Sequence, residues 1–214
     1  MMFIAEIVYM LTAFTLLSTF YILLQPFIRA MIRGIVVQST LIGLISFIMA
    51  YYLDSIDFVF LGILVIVLRG FLVSYLLERH ILKRKPLVRE RTYGIPSTIL
   101  TAIAIAIVGS FVVYFYVFYN LIVNVTIGTN SILLFAFMMM FLGIYLILSR
   151  KNTMTQIIGY VEEENSMVLM SVFLIPVPFI VEVTVFLDVI TLVLIASVVA
   201  KEKLEHIELQ ELRG

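Results

Sequence analysis

The sequence predicts an all-α, polytopic membrane protein of about seven transmembrane helices. Three observations predict this class. Hydrophobic residues make up 63% of the 214 residues and charged residues only 13%, where a water-soluble domain carries about a quarter charged residues. The mean hydropathy is +1.18, so there is too little polar surface to cover a soluble globule. The polar residues are also clumped, and the apolar runs between them reach the ~18 residues needed to cross a bilayer. These runs are continuous, without period-two alternation, which favours helices over a barrel.

Each element follows in order. The start, Met1-Met2-Phe3-Ile4-Ala5-Glu6, has no basic n-region and no small-residue cleavage pattern, so Phe3–Leu24 reads as a retained first helix. Arg29 and Arg33 precede the second run, Gly34–Tyr52. Asp54 and Asp57 precede the third, Phe58–Leu77, which carries Arg69 near its middle. Glu78–Thr92 is the longest charged linker. Ile95–Tyr119 is the fourth run, and an uncharged Asn120–Asn130 loop leads to the fifth, Ser131–Leu148. Arg150 and Lys151 introduce the sixth, Thr153–Phe173, which contains Glu162, Glu163, Glu164 and Asn165. Val177–Ala200 is the seventh, with Glu182 and Asp188. The tail Lys201–Arg213 spaces Glu202, Glu205 and Glu208 by threes and reads as a solvated helical end.

Four segments result: residues 1–77, a three-helix half; 78–94, a cytoplasmic basic loop; 95–200, a four-helix half; and 201–214, a cytoplasmic tail. A weak echo is expected between helices one to three and five to seven. Phe58-Val59-Phe60 resembles Phe179-Ile180-Val181, and each helix then carries a charge near its middle, Arg69 or Asp188.

The basic residues predict the orientation. All of the fourteen Lys and Arg except Arg69 fall in the linkers between helices one and two, three and four, five and six, or after helix seven. Basic loops stay cytoplasmic, which places the N-terminus outside and the C-terminus inside.

Composition also narrows the chemistry. Cysteine is absent and the two histidines, His80 and His206, lie in charged segments. Disulfides, thiolate metal sites, iron–sulfur ligation within this chain and cysteine nucleophiles are thereby excluded. No nucleophile–base pair, phosphate loop or metal cluster is legible, so the chain reads as non-catalytic.

Ionisable groups deep in the spans are the candidate site. A charge at the bilayer centre costs about 3 kcal/mol on insertion scales, and such residues persist when they pair, face a wet cavity or carry ions. Glu164 lies eleven residues into helix six, about 16 Å at ~1.5 Å per residue. Asp188 and Arg69 are also near mid-span. Glu164 and Asp188 are expected to share one polar pocket, with Arg69 as ion partner and Glu163 and Glu182 as further members of a proton relay. Successive residues are turned by about 100°, so at most two of the glutamate triplet can share a face. Glu162 and Glu163 are expected to face a neighbouring subunit or a protein-lined crevice, and Glu162 to matter less. Burial in low dielectric disfavours an ionised carboxyl, and a nearby arginine favours it. Moving that arginine would switch the acid between states.

The stretch Arg150-Lys151-Asn152 … Ile157-Ile158-Gly159-Tyr160-Val161-Glu162-Glu163-Glu164-Asn165, followed by Pro178-Phe179-Ile180-Val181-Glu182-Val183 … Leu187-Asp188-Val189, resembles hydrogenase-4 component E. That family supplies a membrane subunit to formate hydrogenlyase-type group 4 nickel–iron hydrogenase complexes. Its last three helices are related to chain K of NADH:quinone oxidoreductase and to the corresponding small subunit of Mrp antiporters, so residues 131–200 here are expected to be chain-K-like. The strong motifs occupy Arg150–Lys201. Glu164-Asn165 matches the family's Glu-Asn, and Glu182 and Asp188 match the acids of the last helix. Arg69 sits where the family tends to have a basic residue. Against chain K, the first buried glutamate falls near Val161, one turn from Glu164. Glu162 and Glu163 are acids additional to the family pattern.

The resemblance implies a role. The chain would be an energy-coupling subunit, holding carboxylates on a mid-membrane polar axis in the inner (plasma) membrane of a prokaryote. Its partners would be large antiporter-like subunits, an anchoring membrane subunit and a peripheral hydrogenase-like arm. It would carry no cofactor, any nickel–iron and iron–sulfur centres belonging to the other subunits. The rival expectations are a stand-alone ion or proton transporter using the same acids, and a structural membrane scaffold.

Overall fold

A computed structural model describes residues 2–82, 95–118 and 130–174, together with Phe186, Asp188, Ile190, Thr191, Val193 and Ser197. Among the described residues there is helix and no strand. The helices are α1 (Met2–Leu24), α2 (Ile28–Leu53), α3 (Ile56–Leu64), which continues through a π-helical stretch (Val65–Val73) into α4 (Ser74–Leu82), then α5 (Ile95–Val112) with a π-helical extension (Val113–Phe118), α6 (Asn130–Ser149) and α7 (Thr153–Leu174). Among the described residues, five helical spans are long and apolar enough to cross a membrane: Phe3–Leu24, Ile28–Leu53, Ile56–Arg79, Pro96–Phe115 and Ile132–Ser149. The protein is a membrane-embedded, multi-pass protein. The predicted linker beyond Leu82, the Asn120–Thr129 part of the fourth loop, most of the seventh run, Phe179–Val181, Glu182 and the tail lie outside the described residues.

Helix boundaries differ from the apolar runs where the ends are charged. α2 begins at Ile28, six residues before Gly34, and takes Arg29 and Arg33 into its first turns. Apolarity marks where a helix meets lipid, whereas backbone hydrogen bonding marks where it starts. α1 ends before Pro26, which cannot continue a helix. α2 ends at Asp54, in the left-handed region at φ 50°, with its N–H on the Ala50 carbonyl. Aspartate tolerates that conformation better than most residues.

α7 misses the composition of a membrane span because of its three glutamates, yet it is among the most enclosed helices. Fourteen of its 22 residues are buried. It packs on α6 and α2, while α2 also packs on α1, α3 and the π-helical stretch. Close approach to α6 depends on glycine. A Cβ on Gly143 would lie 2.9 Å from the backbone nitrogen of Glu163, so only glycine fits against the α7 main chain, as small residues do between membrane helices.

The interior has three layers. One apolar cluster includes Ile42, Ile45, Phe58, Leu61, Val65, Met139, Val168 and Leu169. A second includes Ile22, Met31, Ile35, Val73, Leu77, Leu142, Ile158 and Val161. In sequence, the buried polar residues Gln38, Ser39, Arg69, Glu162, Glu164 and Asn165 fall between the two on every helix that supplies them. Outside, large apolar side chains such as Phe14, Leu17, Phe60, Phe71, Leu100 and Phe111 are exposed, which suits contact with lipid.

Candidate functional site

The start of α7 sets the depth of its acids. Asn152 caps the helix, its Oδ1 accepting from the Met154 N–H at 2.9 Å, a typical N-cap bond. Beside it, buried Arg150 donates from Nη2 to the Leu23 carbonyl at 2.7 Å. Gln156 donates to the Arg150 carbonyl at 2.9 Å. The first turn of α7 is thus pinned to the last turn of α1, where a cation complements the free carbonyls. From that anchor, α7 carries Glu162 to the level of Thr19 on α1.

The first acid centre forms around Arg69, which is fully buried. Its Nε donates to Asp188 Oδ1 at 2.6 Å and stands 3.8 Å from Glu164 Oε2. Thr191 donates to Glu164 Oε1 at 2.8 Å. Asp188 and Thr191 are three apart on a helical stretch, so they share a face. Tyr160, one turn before Glu164, lies beside it and is partly buried. Arg69 lies within the π-helical stretch, a geometry frequent at functional sites, and Ser74 Oγ donates to the Arg69 carbonyl at 3.1 Å.

The second acid centre forms around Glu162. Thr19 donates to Glu162 Oε1, and Gln38 Nε2 donates to the same oxygen at 2.6 Å. Gln38 Nε2 also lies 3.0 Å from Thr19 Oγ1. No cation pairs with Glu162 among the described residues.

An amide pair joins the two centres. Arg69 Nη1 donates to Asn165 Oδ1 at 3.3 Å. Asn165 Nδ2 then donates to Gln38 Oε1 at 2.7 Å and to Ser39 Oγ at 3.2 Å. A continuous hydrogen-bonded chain therefore runs Asp188–Arg69–Asn165–Gln38–Glu162–Thr19. Helical geometry explains it. At about 100° per residue, Glu162 and Glu164 point to nearly opposite faces of α7, and Asn165 falls between them. Because α7 is packed on both sides, both faces are interior.

The structure brings together Arg69, Glu164 and Asp188, in one pocket as expected. Glu163 points away from both centres and is only partly buried. Glu182 lies outside the described residues. Of the two settings expected for Glu162, a neighbouring subunit or a protein-lined crevice, the described residues give it a protein lining: it is 1% exposed inside the bundle. The reason is that α1 and α2 supply donors for it. Those partners had signals in the sequence. Gln38-Ser39-Thr40 is a polar triplet inside an apolar run, and Thr12, Thr15, Ser18 and Thr19 form a stripe at helical spacing on α1.

Several buried atoms have no hydrogen-bond partner among the described residues: Arg69 Nη2 and one oxygen of each acid, Glu162 Oε2, Glu164 Oε2 and Asp188 Oδ2. Among the described residues each of these three acids thus has one oxygen without a hydrogen-bond donor, that of Glu164 facing Arg69 as an ion partner.

No protein-family model, curated protein or solved structure matches the chain.

Proposed function

We propose that this protein is a proton-translocating, energy-coupling membrane subunit of a larger redox assembly, of the group 4 hydrogenase or NADH:quinone oxidoreductase kind. The observation that carries the reading is the buried layer of three carboxyls and one guanidinium, linked by hydrogen bonds and, at Glu164, by an ion pair, between two apolar clusters. One guanidinium balances one carboxylate. The layer is electrically balanced only when protons occupy the other acids, since an uncompensated charge in such a place costs several kcal/mol. Changing where Arg69 sits changes which acid it balances, and so which acid releases its proton. Intramembrane acids of this kind mark proton relays.

The assembly follows from the motif resemblance in α7 and around Asp188. In this reading large antiporter-like subunits and an anchoring subunit flank the chain, and a peripheral arm carries the redox centres. Seven helices with the N-terminus outside, in the plasma membrane of a prokaryote, fit the placement of the basic residues.

The test is redox-driven proton uptake in inverted membrane vesicles. Asp188→Asn and Glu164→Gln remove titration while keeping size. Each is expected to lower uptake at least tenfold while the redox half-reaction and subunit composition persist. Normal uptake in both variants overturns the relay role. A chain that purifies alone and transports protons in liposomes points instead to a stand-alone transporter.

A further inference from the structure

The direction of the hydrogen bonds between the two acid centres is dictated by chemistry. Arginine has donors only, so Asn165 must present Oδ1 to Arg69 Nη1. That leaves Asn165 Nδ2 to donate, and Gln38 must answer with Oε1. Gln38 is then left with Nε2, which donates to Glu162 Oε1. A carboxyl oxygen accepts, so the far end agrees with the near end. Every bond in the chain points the same way, from the guanidinium to Glu162. Bonds aligned in this manner polarise one another in a low-dielectric interior.

Amides hold their protons firmly, so Asn165 and Gln38 do not pass a proton along. What they can pass is polarisation. An ionised Glu162 draws the chain tight and holds Arg69 toward Asn165. A protonated Glu162 accepts more weakly, and Arg69 is freed toward Asp188 and Glu164. Glu162 Oε1 already accepts from Thr19 and Gln38, while buried Oε2 has no partner among the described residues. The proton therefore has one place to go, Oε2. Thr19 from α1 and Gln38 from α2 are the polar groups that meet this carboxyl, and neither is charged.

We infer that Glu162 is a second proton-holding site, coupled to the Arg69–Asp188–Glu164 centre through the oriented amide pair Asn165–Gln38. Coupling of two sites is reciprocal, so the state of Asp188 must be felt at Glu162. This deepens the proton-translocating reading, and depends on it only for the physiological use of the site.

Infrared difference spectroscopy during pH steps tests it, on the full chain with its co-purifying subunits in lipid. Wild-type protein is expected to show a protonated-carboxyl band that Glu162→Gln removes. Asp188→Asn is expected to shift that band, and the shift should shrink when Asn165→Leu is added. Should Asn165→Leu fail to accumulate, Gln38→Met interrupts the same chain one link further on. Loss of the band in Glu162→Gln requires neither amide variant. A spectrum unchanged by Glu162→Gln overturns the site. A shift of the same size with the amide chain interrupted overturns the coupling. Both results are independent of vesicle uptake, so normal pumping by both Asp188→Asn and Glu164→Gln would refute the relay reading and leave these spectra to be judged alone.

Discussion

Glu164 and Asp188 lie beside one face of α7, and Glu162 projects from the other. All three carboxyls are sealed in the bundle, yet their surroundings differ in kind. The first pair is held by a guanidinium, with Arg69 Nε 2.6 Å from Asp188 and 3.8 Å from Glu164. Glu162 is held only by a hydroxyl and an amide, Thr19 and Gln38. One centre is built to stabilise negative charge. The other satisfies an accepting oxygen whether or not the acid is charged. Two neighbouring acids on one helix can thus be made unequal by their partners alone, without a difference in burial.

The largest expected effect breaks the first centre and spares the second. Arg69→Ala leaves two buried acids without their cation, and removing one member of a buried pair costs about 3–5 kcal/mol. The protein should fail to accumulate in membranes, or melt far below wild type. Arg69→Lys should recover only part of the loss, because an ammonium cannot reproduce the fork that reaches Asp188 and Asn165 together. Full stability in Arg69→Ala, measured by thermal melting in detergent, would erase the distinction between the centres.

A smaller effect sharpens the contrast. Asp188→Asn loses a charge-assisted bond and should cost about 1.5–3 kcal/mol. Glu162→Gln keeps the accepting oxygen and places its amino group where Oε2 already stands without a partner among the described residues. Its cost should be about 1 kcal/mol or less. Equal destabilisation of the two variants would mean that Glu162 is held as a charge after all.

The smallest effect is a control within the apolar layers. Ser46 is buried and its hydroxyl has no partner among the described residues. Ser46→Ala removes a polar group that gains nothing from folding, so the melting temperature should be unchanged or slightly raised, within about 1 kcal/mol in stability.

These centres were not equally legible in the sequence. Arg69, Glu164 and Asp188 stand out because a charge inside an apolar run has few explanations, and an estimate of depth sufficed to group them. The apolar runs likewise located most helices, since hydrophobicity decides where a chain meets lipid. The start of α2 was not legible, because Arg29 and Arg33 interrupt the apolar signal but not the backbone hydrogen bonding. The partners of Glu162 are not legible, for a geometric reason. A helix with acids on opposite faces normally exposes one of them, unless it is packed on both sides. The close packing of α7 on α6 depends on Gly143 and its attachment to α1 on Arg150, and neither announces a neighbour in one dimension. Asn165 was noted as part of a motif, but its bond to Gln38 spans 127 residues.

The layering of the interior has an electrical consequence. The apolar clusters on either side of the polar layer are poor conductors of charge, and most hydroxyls near them, such as Thr12 and Thr15, donate to carbonyls of their own helix, at Val8 and Thr12, with Ser46 a described exception. The polar layer is by contrast a thin polarisable stratum that falls between the two clusters along the helices. Charge can be rearranged within that stratum at modest cost, whereas a path through either slab would short-circuit any voltage held across the membrane. Among the described residues, the side chains that make the middle of the bundle responsive are therefore flanked by apolar packing on both sides.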